Sequence, residues 1–398
     1  MSTDNFQQIN LLGHEEQQLR IDRLTTAMKD RGLDLAFITD NANLYYLTGR
    51  VFSGYILLSA EGRMDCFVRR PNHLTGSQVH PIRKPEQIAE ICRAEGIHIN
   101  GKTIGYEFNT LSVSDFNRLN KALNGTVPSD LSGALRAARS VKTPREIELI
   151  ALSGRRQEAV YRQIPTLYRP GMTDLELQIE IERALRRAGC LGQFRISGNS
   201  MELFMANLLT GDNADTPSPY DFAMGGAGAD PSIPVGANGS EILDGQAVMV
   251  DANGNFTGYM TDMTRTFACG TLPPEAMLAH QCSIDICAAL SRMARPGTEA
   301  AEMYHAALKM ADDAGLKDYF MGHRQKAGFV GHGVGIEINE APVIAPRSAD
   351  IIAEGNVFAL EPKFVIPGVG AVGIENTYAV MPDQTVCLTN APEEITEL

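Results

Sequence analysis

The chain has 398 residues, 44% of them hydrophobic and 21% charged, enough for a sizeable core and for two domains of ordinary size. Its formal net charge is −13 and it has no long run of Lys or Arg, which argues against nucleic acid or an anionic membrane surface as the main partner. Seven cysteines without paired spacing, no export leader and no long apolar run point to reduced thiols in a cytoplasmic protein that does not span a membrane.

From His14 to Gly32, apolar Leu19, Ile21, Leu24 and Met28 share a helical face, and the strand-like LDLAFIT follows. The segments NANLYYLTG, GYILLSA and GRMDCFV continue an α/β unit. Its end is marked by SVKTPREIELI, where Thr143 and Glu146 form a capping box around Pro144 at the first helical turn. This predicts one domain over residues 1–140 and a second over 141–398.

The second domain carries an internal repeat. RPGMTDLELQIEIERALRRAG (169–189) and RPGTEAAEMYHAALKMADDAG (295–315) both open on Arg-Pro-Gly and close on Ala-Gly, which reads as two copies of one helix-bearing unit. Each is followed, after a loop, by a hairpin-like stretch holding two acids: QAVMVDANGNFTGYMTDMTRTF and NVFALEPKFVIPGVGAVGIENTYAV. A loop over 255–258 would set Asp251 opposite Asp262, and a turn centred on Gly368 would set Glu361 opposite Glu375. The alternative turn at Asn253-Gly254 would misalign the aspartates.

The runs VMVDA, FALEP and VGIEN place these acids in buried-looking surroundings, and buried carboxylates need cations or protons. In GHGVGIEINEAP, Gly331 and Gly333 would let a strand carrying His332 approach closely. One imidazole and four carboxylates suit two divalent ions such as Mn²⁺, Fe²⁺, Co²⁺ or Zn²⁺.

With its motifs RIDRLTTAMKDRGLDLAFITDNANLYYLTG, VKTPREIELI, DMTRTF, GHGVG, LEP and IEN, the sequence resembles the pita-bread metallohydrolases that include methionine aminopeptidase, Xaa-Pro aminopeptidase, prolidase and creatinase. The resemblance implies an α/β (α+β) fold, with a creatinase/prolidase-like N-terminal domain before a pseudo-symmetric pita-bread catalytic domain. It implies metal binding by Asp251, Asp262, His332, Glu361 and Glu375, a hydroxide bridging two metals as nucleophile with Glu361 managing its proton, a short peptide or small amide as substrate, and a homodimer.

Two positions depart from the family's pattern. The resemblance implies a histidine where this chain has Asn339 and another near Pro234, and no histidine occurs from 190 to 260. Asn339 joins Glu361 as a candidate catalytic residue, able to donate a hydrogen bond but not to transfer a proton. The polar, turn-rich segment 204–234 reads as a loop shaping a substrate pocket, with Tyr220, Asp221, Asp230 and the later His323 as candidate substrate-binding groups. The main expectation is an Xaa-Pro peptidase-like hydrolase. The alternatives are C–N cleavage of a small metabolite as in creatinase, a lyase, and a non-catalytic binding protein.

Overall fold

A computed structural model describes residues 7–198, 202–222 and 224–398, and the chain divides into two units, Met1–Arg139 and Ser140–Leu398. The first has helices α1 (His14–Lys29), α2 (Asn41–Thr48), α3 (Ile88–Ala94), α4 (Val113–Ala122) and α5 (Ser132–Ser140), the last ending at the boundary. Its strands are β1 (Leu35–Ile38), β2 (Ser53–Ser59), β3 (Met64–Arg70), β4 (Val79–Pro81), β5 (Thr103–Tyr106) and β6 (Val127–Asp130). They form one mixed sheet in the order β4-β3-β2-β1-β5-β6. Every residue of β1 is buried, as its unbroken apolar run LAFI requires of a central strand.

In the second unit, α6 (Pro144–Tyr161) begins with the Thr143–Glu146 capping box, and α7 (Ile164–Leu167) follows. The two repeats become α8 (Asp174–Arg187) and, after α9 (Pro274–Met293), α10 (Ala300–Asp313). Equivalent glycines take positive φ: Gly171 at 86° and Gly297 at 96° before the helices, Gly189 at 99° and Gly315 at 73° after them. Both helices close with the same backbone bond, Cys190 N to Leu185 O and Leu316 N to Ala311 O, each 2.9–3.0 Å.

Each repeat packs on its own sheet. The first sheet joins β7 (Ala206–Thr210), β8 (Gln246–Asn253), β9 (Asp262–Cys269) and β17 (Thr396–Glu397) in the order β17-β9-β8-β7. The second joins β10 (Gly331–Gly333), β11 (Glu340–Ile344), β12 (Val357–Leu360), β15 (Asn376–Val380) and β16 (Thr385–Cys387), while β13 (Lys363–Ile366) and β14 (Gly370–Gly373) pair separately. One core gathers Leu177, Ile181, Val248, Val250 and Phe267, and another gathers Ile286, Leu290, Met303, Phe358 and Phe364.

The segment 204–234 is not the continuous loop its turn residues suggest. Its apolar stretch ANLLT forms the fully buried β7, pairing with β8 so that Asn207 faces Asp251. Among the described residues no helix is long and apolar enough to cross a membrane.

Candidate metal centre

Five side chains from five strand segments meet in the second unit. Asp251 is on β8 and Asp262 opens β9, His332 is the middle residue of β10, and Glu361 and Glu375 sit where the long second hairpin passes from β12 to β13 and from β14 to β15. Their ligand atoms fall into two trios that share Glu375, namely Asp262/His332/Glu375 and Asp251/Glu361/Glu375, with the atoms of each within 4.8 Å of one another.

The second hairpin keeps the register its sequence predicts: Leu360 faces Asn376 and Lys363 faces Gly373, which brackets Glu361 against Glu375. The first does not. Asp251 faces Thr264, and Asp262 faces Asn253, two residues away from the anticipated pairing of the two aspartates. The turn is pulled wide because its residues bond elsewhere: Asn255 Nδ2 to Gln193 O at 2.6 Å, Thr257 Oγ1 to Leu149 O at 3.1 Å and Tyr259 OH to Glu146 Oε1 at 2.9 Å. A shift of two residues preserves the face, so both carboxylates still point into the site. Asn253-Gly254 forms no tight turn, since Gly254 N and O both pair with Thr261.

Gly331 and Gly333 are needed at β10 because neighbouring backbone is too close for a side chain. A Cβ on Gly331 would meet Ala359 O at 2.3 Å, and one on Gly333 would meet Ala341 O at 2.2 Å. His332 Nδ1 donates to Gly333 O at 3.1 Å, which turns Nε2 toward Glu361 Oε1 at 3.3 Å and Asp262 Oδ2 at 3.8 Å.

The sequence reading missed Lys363. Its side chain is fully buried, and its Nζ donates to Asp251 Oδ2 at 2.8 Å, Glu361 Oε2 at 2.9 Å and Glu375 Oε2 at 3.1 Å. A signal was present: a lysine inside the apolar run FALEPKFVI needs counter-charges if that run is buried. Thr264 was also missed. Its Oγ1 donates to Glu375 Oε2 at 2.8 Å.

The charges shape one another. Burial raises the Glu375 carboxyl, the Glu361 charge adds to this, and the group is pushed up to about 8 despite Lys363. Burial, followed by Glu375, Asp251 and Glu361, holds Asp262 well above the usual carboxylate range. Burial opposes the ionised form of Glu361, but Lys363 and His332 outweigh it and draw that group down to about 2. Burial also disfavours the imidazolium of His332, which the contact with Glu361 nevertheless raises to about 9. Lys363 is likewise penalised by burial, yet Asp251, Glu361 and Glu375 hold it well above the ordinary lysine value.

The remaining candidates lie in other arrangements. The Asn339 amide clamps a neighbouring segment, its Oδ1 accepting from Ser197 N at 2.6 Å and its Nδ2 donating to Ser197 O at 2.9 Å. His323 Nδ1 faces Asp215 Oδ2 at 2.8 Å and lines a pocket with Tyr220, Asp221 and Lys326. Tyr220 packs on Phe222 with ring centroids 5.4 Å apart. Asp230 is exposed and accepts from Ser232 N at 2.9 Å, as a turn-capping aspartate does.

Residues 148–382 match the sequence profile of metallopeptidase family M24, and residues 20–141 match that of the creatinase/prolidase N-terminal domain. The chain belongs to metallopeptidase family M24. It is 25% identical to the putative dipeptidase YkvY of Bacillus subtilis over 94% of its own length and 99% of the relative's. It is 24% identical to the Xaa-Pro dipeptidase of Pyrococcus furiosus, again over 94% and 99%. The solved Xaa-Pro dipeptidase from Bacillus anthracis superimposes with a TM-score of 0.79 at 22% identity, covering 96% of this chain and 100% of that one.

M24 proteins use divalent metals, and the two trios fit that use unequally. Glu375 Oε1 is buried without a partner among the described residues, as an oxygen reserved for a cation would be. Asp262, His332 and Glu375 offer this M24 chain a mixed oxygen and nitrogen set for a borderline divalent ion. The Asp251/Glu361/Glu375 trio is already bridged by Lys363, so the anticipated pair of ions meets a cation the chain itself supplies.

Proposed function

We propose that this M24 chain is a metal-dependent amide hydrolase of the Xaa-Pro dipeptidase kind, acting on a short peptide or a peptide-like amide. The observation that carries the reading is the convergence of Asp251, Asp262, His332, Glu361 and Glu375 within the segment matched to the family. Asp262, His332 and Glu375 would hold a divalent ion such as Mn²⁺, Co²⁺, Fe²⁺ or Zn²⁺. Such an ion supplies Lewis-acid polarisation of a carbonyl and lowers the pKa of water.

The chain's own groups do the rest. Glu361, kept ionised by Lys363 and His332, takes up a proton from the attacking water. His332, oriented by Gly333 O, presents Nε2 inward, and the buried setting limits competing water. Protein purified with Mn²⁺ or Co²⁺ is expected to cleave members of an Xaa-Pro dipeptide panel, and Glu361→Ala to abolish that cleavage. No cleavage across the panel by metal-loaded protein sinks the peptidase reading.

One observation favours a second reading, hydrolysis of a small non-peptide amide. Asn339, at one of the two positions where the resemblance implies a histidine, uses both ends of its amide on Ser197. Turnover of small cyclic or guanidino amides without turnover of dipeptides would select it. Either reading suits a cytoplasmic enzyme, since all seven cysteines are free, and the family resemblance adds a homodimer to it.

A further inference from the structure

We propose that the Lys363 ammonium permanently takes the place of one of the two divalent ions that the five-ligand set would otherwise hold, so that this chain binds a single divalent ion, at Asp262, His332 and Glu375. The inference rests on the metal-binding part of the proposed function and is independent of the substrate.

A lysine ammonium has three N–H donors, and here three carboxylate oxygens take them at 2.8, 2.9 and 3.1 Å. Those oxygens belong to Asp251, Glu361 and Glu375, one complete trio. A divalent ion on the same oxygens would stand roughly 2.0–2.2 Å from each, in direct competition with the nitrogen. Among the described residues no ion pair of the ammonium falls on Asp262 or His332, so the other trio is left open.

Lys363 has little freedom to withdraw. Its backbone is held at both faces of the hairpin, paired with Gly373 across β13 and β14 and accepting from Met321 N at 2.8 Å. With the residue fully buried, moving the ammonium out of the trio would leave an unpaired charge inside the unit. Charge balance points the same way. In the ionised form that ligates a cation, four carboxylates with a neutral imidazole against one ammonium carry an excess of three negative charges. A single divalent ion reduces that excess to one, whereas two ions beside the ammonium would turn a buried acidic site positive.

Glu375 is divided accordingly. Its Oε2 is taken by Lys363 and Thr264, while its Oε1 has no partner among the described residues. The unsatisfied oxygen therefore sits on the one residue common to both trios, and the ammonium has not consumed it.

The test is the metal content of the full chain after equilibrium dialysis against excess Mn²⁺, read by elemental analysis. The expected result is one equivalent for the wild type and a doubling for Lys363→Gly. Two equivalents in the wild type, or no gain in a folded Lys363→Gly, overturns the inference. Should that variant not fold, two ligand substitutions decide: Asp251→Asn is expected to keep the single ion and His332→Ala to lose it, and loss in Asp251→Asn overturns the inference. Wild type that binds no ion removes both this inference and metal-dependent hydrolysis. One bound ion with no cleaved peptide supports the inference and removes only the peptidase reading.

Discussion

Thr264 and Glu375 join the two hairpins of the C-terminal unit directly. Glu375 N donates to Thr264 O at 3.1 Å, Thr264 N donates to Glu375 O at 3.3 Å, and the threonine hydroxyl donates to Glu375 Oε2 at 2.8 Å. One contact thus closes the two halves over the site and orients the carboxylate that both trios share. Arg265 reinforces it, its Nη1 donating to the carbonyls of Thr264 at 2.7 Å and Glu375 at 2.9 Å.

Replacing Thr264 by Val keeps the shape and removes the hydroxyl. A typical intramolecular hydrogen bond contributes about 0.5–1.5 kcal/mol net, and Thr264→Val is expected to lose about that much in urea unfolding. Metal affinity by titration calorimetry should fall about 10–100-fold, as for other groups that orient a ligand. Unchanged affinity would mean that Glu375 is held in place by the backbone alone.

Lys363→Ala leaves three carboxylates facing one another without their counter-ion. Breaking a buried ion pair by removing one partner costs about 3–5 kcal/mol, so the variant should unfold far more easily than wild type in the presence of a chelator. Adding Mn²⁺ should restore much of the loss, because a ligand binding only the folded state adds about 2.7 kcal/mol at a hundredfold excess over its Kd. A melting temperature insensitive to both the substitution and the metal would contradict the role assigned to the ammonium.

Gly331→Ala tests the close approach of β10 to β12. The added methyl would meet Ala359 O at 2.3 Å, and a carbonyl in a paired strand cannot turn aside. Overpacking of this kind costs about 1–3 kcal/mol, and a displaced β10 would carry His332 away from Glu361. Both stability and metal content should drop. A variant with wild-type values for both would show that the strand can shift without disturbing the site.

His280 gives the fold a pH dependence of its own. Burial lowers its pKa below 6.5, against the opposing effect of Nε2 donating to Glu393 O at 2.7 Å, and its Nδ1 is buried without a partner among the described residues. As pH falls below 6.5 the unfolded chain takes up a proton that the folded chain resists, so stability declines until the lower folded value is passed. Urea unfolding from about pH 7 down to about pH 5 should show this loss, and His280→Gln should flatten it. A wild-type curve as flat as the variant's would remove the assignment.

What could be read along the chain was whatever depends on local chemistry. The Thr143–Glu146 box, the twin helices between paired glycines and the turn centred on Gly368 are written in neighbouring residues, and they fold accordingly. The candidate ligands Asp251, Glu361 and Glu375 were legible because each stands in an apolar run where burial would punish a carboxylate without a cation.

Three things were decided only in three dimensions. The β8–β9 turn opened two residues wider than its own sequence suggests because distant partners, Gln193, Leu149 and Glu146, bid for its side chains. The segment 204–234 yielded β7 because the open edge of β8 needed a partner. Lys363 became part of the centre because its ammonium, once buried, had to find three carboxylates that the chain brings together from positions 251, 361 and 375. Local pattern specifies which groups must be neutralised; only the assembled fold determines which cation reaches them first.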